Sequence, residues 1–232
     1  MSLFINTNTA AANASNSLAN SNLQLQNSLN KLSSGSRIVK ASDDAGGLAA
    51  SMGLTKAAND TAAVVSADNN KISFLQAQDG VLKTAGDMAT RIAQLASLSG
   101  DPTMTTTDTA GYATESTTLQ NELTALAGMN FNGKALFGTG TLDGVTLTSG
   151  DGVVTIAASR AVNGANQSSL QFDSQANAST ETNLQAAAGQ ISNVDVASEA
   201  TNLAKFNVMV QYGAAMLAQA NQTTQVALKL IQ

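Results

Sequence analysis

Two narrow apolar stripes, one at each end of the chain, constrain the fold more than any other feature of the sequence. In the first, Phe4, Ala11, Leu18, Leu25 and Leu32 stand seven residues apart, with Leu29 filling an alternate position. In the second, Leu203, Val210, Leu217, Thr224 and Ile231 keep the same interval, supported by Phe206, Ala214 and Leu228. A seven-residue repeat draws one thin apolar line along a helix, which packs against a partner helix rather than a broad core. The other faces carry Asn, Ser and Gln, mediocre helix formers, with few opposite charges four residues apart. Each end is therefore expected to order only when packed, and the economical packing joins the two ends as a coiled coil. A buried Leu or Ile contributes roughly 1.5–3 kcal/mol, against about 1–2 kcal/mol per residue for ordering backbone. A handful of such side chains leaves the pair marginal in a monomer, which points to neighbouring subunits and a polymer.

Between the stripes the chain reads as more helix with short breaks. Ser33-Ser34-Gly35-Ser36 is a break by composition, and Ser42-Asp43-Asp44 is a helix start, since these side chains accept from free backbone N–H groups. From Ala45 to Leu98 the returns of Ile72, Leu75, Leu82, Met88, Ile92 and Leu95 predict one helix, roughly 80 Å long at about 1.5 Å per residue, hence a rod. Ser99-Gly100-Asp101-Pro102 ends it, a Thr-rich loop runs through Thr109, and Thr114–Gly128 forms a shorter helix with Leu119, Leu123 and Leu126 on one face. Asn130-Phe131-Asn132-Gly133 reads as an Asn-Gly turn. Val145–Leu147 and Val153–Ile156, alternating β-branched runs around Ser149–Gly152, predict a β-hairpin near 139–158. Helix resumes near Ala161, with an irregularity at Asn193–Asp195. The expected fold is mainly α: a long antiparallel helical rod or coiled coil with a small β-hairpin region. Its expected parts are an inner N-terminal helix at 1–41, an outer helical rod at 42–192, and an inner C-terminal helix at 193–232 that pairs with 1–41.

Composition removes whole classes of chemistry. The 232 residues include no Cys, no His and no Trp, so a Ser-His-Asp triad, a thiol nucleophile, a zinc finger and a disulfide framework are all excluded. The net charge of −5 argues against a nucleic-acid binder. No basic segment followed by an apolar run opens the chain, and no stretch reaches the ~18 apolar residues of a membrane span. A membrane-surface helix would show a broad apolar face edged with Lys and Arg, and neither is present. Asp143 and Asp151 beside glycines lack the further carboxylates of a calcium loop, so no metal or cofactor is expected. No convergent acid–base set is visible, and an enzyme is not expected.

Several blocks of the sequence resemble bacterial flagellin. Ile5-Asn6-Thr7-Asn8 resembles the family's opening. Leu32-Ser-Ser-Gly-Ser-Arg37-Ile38, followed by Ala41-Ser-Asp43-Asp44-Ala45-Gly-Gly-Leu48-Ala49, resembles its most recognisable block. Phe131-Asn132-Gly133 with Leu136 resembles the turn before the family's hairpin, and Ala214-Ala-Met216-Leu-Ala-Gln-Ala-Asn-Gln222 with Leu228-Lys-Leu-Ile is the most specific match. The chain departs from the family pattern at Ser36, Tyr212 and Thr224, where Leu, Gln and Pro are usual. The resemblance implies a core-only flagellin without the long variable insert, a structural subunit of the flagellar filament. It implies export in unfolded form through the flagellar type III apparatus, secretion to the extracellular filament, and growth under a cap protein at the distal end. A homopolymer, an export chaperone on the C-terminal helix and hook-associated junction proteins are the implied partners, with no nucleic acid and no membrane insertion. The alternative within the same apparatus is a flagellin-like hook–filament junction protein; Ala218-Gln-Ala-Asn-Gln222 favours the filament subunit.

Site residues follow on the same footing. Leu18, Leu25, Leu32, Leu203, Val210, Leu217, Leu228 and Ile231 are expected in the inner packing, against the alternative of burial inside a monomeric bundle. Arg37 with Asp43 and Asp44 is expected to form ion pairs at a domain junction, against a plain helix cap with a solvated Arg. Arg91, Leu95 and Glu122 align with positions through which many flagellins engage Toll-like receptor 5, although Ala93 and Gln94 lack the usual charges and subunit packing is the plainer role. Thr105, Thr106 and Thr107 are candidate O-glycan acceptors, against an unmodified loop. By resemblance, the hairpin region at 130–160 would carry the bistable packing that gives a filament its waveform.

Overall fold

The computed structural model describes residues 7–138 and 151–231, apart from the side chains at 151 and beyond 222. Among the described residues it is mainly α, as the sequence predicts, with one small antiparallel hairpin. The elements are α1 Thr9–Ser34, α2 Ala45–Ser99, α3 Thr106–Ala127, β1 Asn130–Phe131, β2 Lys134–Ala135, α4 Asp151–Ser192 and α5 Val196–Ile231. Among the described residues no helix is long and apolar enough to cross a membrane. The chain divides into two compact units, residues 1–57 with 183–232, and residues 58–182. The divisions fall inside α2 and α4 rather than at the helix breaks near 41 and 192, so each of these two helices contributes to both units.

In the discontinuous unit α1 and α5 lie side by side. Asn8, the N-cap of α1, accepts from the Ala11 amide at 2.9 Å and donates through Nδ2 to the Ala220 carbonyl at 2.9 Å. At the other end of α1, the Val194 amide donates to the Gly35 carbonyl at 3.0 Å. The start of α1 thus meets the far part of α5 and its end meets the start of α5, an antiparallel pair. Gly35 ends α1 in the left-handed region at φ 68°, the usual use of glycine after a helix.

The unit of residues 58–182 holds the larger apolar core. Leu82, Ala85, Ala89 and Ile92 line one face of α2 and meet Leu123 and Ala127 of α3, Leu136 and Phe137, and Ile156 of α4. The hairpin turns through Asn132 at φ 51° and Gly133 at φ 78°, the two positive angles that a tight type I′ turn needs. Its register pairs Asn130 with Ala135 and Phe131 with Lys134. Phe131 meets Phe74 edge-on at 6.1 Å, and the Lys134 ammonium sits 5.5 Å above the Phe74 ring. A polar chain binds the same elements: Gln78 Nε2 donates to the Leu136 carbonyl at 2.9 Å, and Asn163 Nδ2 donates to Gln78 Oε1 and to the Leu75 carbonyl, both at 3.1 Å. Arg160 adds a two-pronged pair to Asp79 at 2.9 and 3.2 Å, which holds the Asp79 carboxyl below the usual carboxylate range.

Two sequence expectations are corrected here. The run Val153–Ile156 is not a strand but the first turns of α4. Ile156 is buried and Val153 half-buried three residues earlier, while Val154 is exposed, so tertiary burial at helical spacing overrides β propensity. The observed hairpin is the Asn-Gly turn at 130–135; the remainder of the expected hairpin, 139–150, lies outside the described residues. The Thr-rich stretch is not loop through Thr109. Thr105 caps α3 reciprocally with Asp108, the Asp108 amide donating to Thr105 Oγ1 and the Thr105 amide to Asp108 Oδ2, both at 3.3 Å, which starts the helix at Thr106.

The Leu123 side chain is fully enclosed. Leu123→Ala is expected to destabilise residues 58–182 by about 2–5 kcal/mol, read as faster amide exchange in α3 and an earlier urea transition. Leu18→Ala on the half-covered seam should cost clearly less in the monomer.

Candidate assembly surface and the clasp at the helix breaks

Four helix ends meet where α1 gives way to α2 and α4 to α5. The Arg37 amide donates to the Ser192 carbonyl at 2.7 Å, and Ser36 and Asn193 form an isolated antiparallel bridge. The Arg37 guanidinium donates from Nε and Nη2 to the Ile191 carbonyl at 3.2 and 2.8 Å. That carbonyl belongs to the last turn of α4, where unpaired acceptors and the helix dipole favour a cation. Nη2 also stands 3.7 Å from Asp44 Oδ2. Both side chains are largely solvated, so this pair adds little and the carbonyl bonds fix the arginine.

The two aspartates have different tasks. Asp44 caps α2, its Oδ1 accepting from the Gly47 amide at 2.8 Å. A side chain at 47 would run into the Asp44 carboxyl and Ile38, so the cap requires glycine there. Asp43 does not pair with Arg37. Its Oδ2 accepts from the Lys40 amide at 2.9 Å and the Val39 amide at 3.1 Å, closing the loop between α1 and α2. Those two N–H bonds hold the Asp43 carboxyl below the usual carboxylate range. Asp195, which the sequence reading passed over as part of an irregularity, caps α5 by accepting from the Ala197 and Ser198 amides at 3.0 and 3.2 Å. The signal was present: an Asp one residue before a helical run.

The seam between α1 and α5 runs from this clasp. Leu18, Leu25 and Leu32 on α1 and Leu203, Val210 and Leu217 on α5 are all half-buried. Alternating with the leucines α1 places Ala14 before Leu18, then Ser21 and Ser28, and Ser28 is its buried residue. On α5 the alternate positions are Phe206, Gly213 and Ala220. A Cβ at Gly213 would stand 3.2 Å from Leu18 Cδ1 and 3.3 Å from Leu18 Cβ, so the missing side chain makes the hole that receives Leu18. Two supporting positions of the expected stripe fall off it: Leu29 is 48% exposed and Ala214 is exposed. The side chains of Leu228 and Ile231 lie outside the described residues.

Outside the seam the pair is unusually apolar for a free surface. Leu23 and Leu29 on α1, and Val208, Met209, Tyr212 and Met216 on α5, are all exposed. Among the described residues of this unit, the buried apolar side chains are Ile38 and Ala188, both near the clasp rather than along the seam. A helix pair with apolar side chains on its outside and little enclosed within it is built to be covered by something else.

Residues 5–141 match the bacterial flagellin N-terminal helical region, and residues 150–231 match the bacterial flagellin C-terminal helical region. The chain belongs to the bacterial flagellin family. It is 29% identical to a flagellar filament 33 kDa core protein of Treponema phagedenis over 99% of this chain and 100% of that protein. It is 28% identical to the flagellin FlaB2 of Treponema pallidum over 99% and 100%. The flagellin of Bacillus subtilis is 27% identical over 98% of this chain and 99% of its own length.

The positions suggested by flagellin resemblance on α2 and α3 are not equivalent. Arg91 is exposed and pairs with Glu115, Nη2 to Oε1 at 2.8 Å, and Glu122 is exposed. Leu95 is 1% exposed and belongs to the interior, so the exposed members of that trio are Arg91 and Glu122. Thr105 spends its hydroxyl on the α3 cap, where Oγ1 donates to Asp108 Oδ2 at 2.6 Å, while Thr106 and Thr107 stand exposed in the first turn of α3. A glycan on Thr105 would cost the helix its cap; one on Thr106 or Thr107 would not.

The loop bonds of Asp43 are present above its lowered carboxyl value and are lost as pH falls through it. The Lys40 amide proton shift is expected to titrate with a midpoint below ~3.9, the ordinary aspartate value, and Asp43→Asn should abolish that titration. A midpoint at or above the ordinary value would show that the amides do not bind the carboxylate in solution.

Proposed function

We infer that the chain is a structural subunit that polymerises into the bacterial flagellar filament. Family membership across both terminal regions supports this, and the named filament core proteins among its relatives agree. The observation that carries it physically is the α1–α5 pair, which exposes Leu23, Leu29, Val208, Met209, Tyr212 and Met216 while enclosing little of its own. Contacts between identical subunits that use different patches on each side do not close, and they build an open helix. Each added subunit would cover the apolar flank of its neighbour, so ordering of the terminal helices and growth of the filament become one process.

Such a subunit works outside the cell as part of the flagellum. Export in unfolded form through the flagellar type III apparatus, with a chaperone on the α5 apolar face, fits the same picture. An amphipathic helix in a groove would shield the surface that later meets other subunits. A cap protein at the growing end and hook-associated proteins at the base are the corresponding partners. Arg91 and Glu122 are the exposed residues through which an innate receptor of the Toll-like receptor 5 type would engage the free subunit.

Purified chain added to short filament seeds is expected to lengthen them under the electron microscope, and a chain lacking residues 193–232 is expected to add nothing. An ordered full-length monomer that never adds to seeds would move the assignment to a junction protein.

A further inference from the structure

The chain has seven methionines and no cysteine, so thioether is the one form of side-chain sulfur an oxidant meets. Met209 and Met216 stand seven residues apart on α5, 44% and 63% exposed, with exposed Tyr212 between them and exposed Val208 alongside. The seam residues Val210, Gly213 and Leu217 occupy the neighbouring side of the helix. These two methionines therefore stand open to solvent on the apolar flank that the free subunit presents. Met52, at 64% the most exposed methionine among the described residues, stands on α2 beside exposed Ala49, Gly53 and Lys56.

We propose that Met209 and Met216 are a reversible oxidation site that switches the subunit between assembling and non-assembling forms. This rests on reading the α5 flank as a surface covered by a second copy of the chain. The oxidant class is a peroxide. The thioether sulfur attacks one peroxide oxygen, the O–O bond breaks, a sulfur–oxygen bond forms, and the other oxygen leaves as water. Sulfur loses two electrons and the peroxide gains them. A sulfoxide reductase with a dithiol reverses the step, giving thioether, water and a disulfide. The sulfoxide is a strong acceptor with a large dipole. In the free subunit water satisfies it; under a neighbouring subunit it must be buried beside Val208 without that water. Oxidation thus leaves the monomer fold intact and penalises its addition to a filament. The same geometry predicts protection once assembled, because a covered sulfur is out of reach.

The test treats full-length monomer with hydrogen peroxide, removes the peroxide, maps sulfoxide at each methionine by peptide mass spectrometry, and measures growth on untreated seeds. Oxidised wild type should add to seeds at least about tenfold more slowly, and methionine sulfoxide reductases with dithiothreitol should restore it. Met209→Leu with Met216→Leu, a volume-conserving change, should keep growth within about twofold after the same treatment. Met52→Leu with Met129→Leu should be as sensitive as wild type. A double Met209/Met216 variant as peroxide-sensitive as wild type overturns the proposal, as does unimpaired growth of wild type fully oxidised at both sites. Should the leucine variant not assemble, sulfoxide formation in wild-type filaments decides. Slower oxidation of Met209 and Met216 in filament than in monomer supports the site, and equal rates refute it. Untreated wild type that never adds to seeds would sink the filament assignment and this proposal together, a result distinct from growth that ignores oxidation.

Discussion

The contact on which the rest depends is the narrow seam between α1 and α5. It is made by leucines set against small residues, with Leu18 seated over Gly213 as its clearest pair. Small partners let two helices approach closely but enclose little apolar area, and every seam leucine among the described residues stays half-buried. Close approach gives the pair a defined register; the shortage of enclosed area denies it independent stability. A helix pair of this kind has a preferred geometry waiting for a surface that completes it. The residues that would meet such a surface are already apolar and exposed on the outer side.

The unit of residues 58–182 solves the opposite problem. Leu82, Leu123, Phe137 and Ile156 are enclosed, and the polar groups among them are spoken for by the Gln78–Asn163 chain and the Asp79–Arg160 pair. Asn163 is 4% exposed yet makes its bonds, which is the condition for keeping a polar side chain inside. This part of the chain therefore has the means to stand alone, whereas the terminal helices do not. Because α2 and α4 each serve both units, the first turns of α2 and the last turns of α4 belong with the terminal helices, where they build the clasp.

Much of this was legible in the sequence, and the failures have physical causes. The seven-residue spacing located the seam, since a stripe of leucines survives any reasonable choice of partner. The same spacing said nothing of Ser28, the residue α1 buries, because a serine at a close helix crossing is chosen for size and not for apolarity. Leu29 was drawn into the stripe by its apolarity and lies outside it, on the face a neighbour would cover. Val153–Ile156 reads as a strand because a short β-branched run carries two periods at once, and only the core that receives Ile156 chooses between them. Threonines score poorly as helix, so Thr106–Thr109 read as loop, although a capping residue three places before an acid is a helix signal in its own right. The acidic pair 43–44 looked like one feature and proved to be two, a loop closure and a helix cap, a difference of one residue that composition cannot resolve.

The clasp adds a constraint of its own on how such a subunit orders. Arg37 is aimed at the Ile191 carbonyl, and Asp195 caps the helix that begins just beyond, so the breaks between helices are as specified as the helices. Breaks fixed by backbone hydrogen bonds set the direction in which each terminal helix departs. A terminal helix that is weak in isolation but launched in a fixed direction loses less freedom on meeting a neighbour than one hanging from a loose linker. The sequence thus divides the labour: glycines and aspartates at the breaks set the direction, and the low-charge stripes leave the final ordering to the polymer. Raising the enclosed apolar area of the α1–α5 seam would stabilise the monomer, but the larger side chains it needs would have to displace Leu18 from the space that Gly213 leaves open.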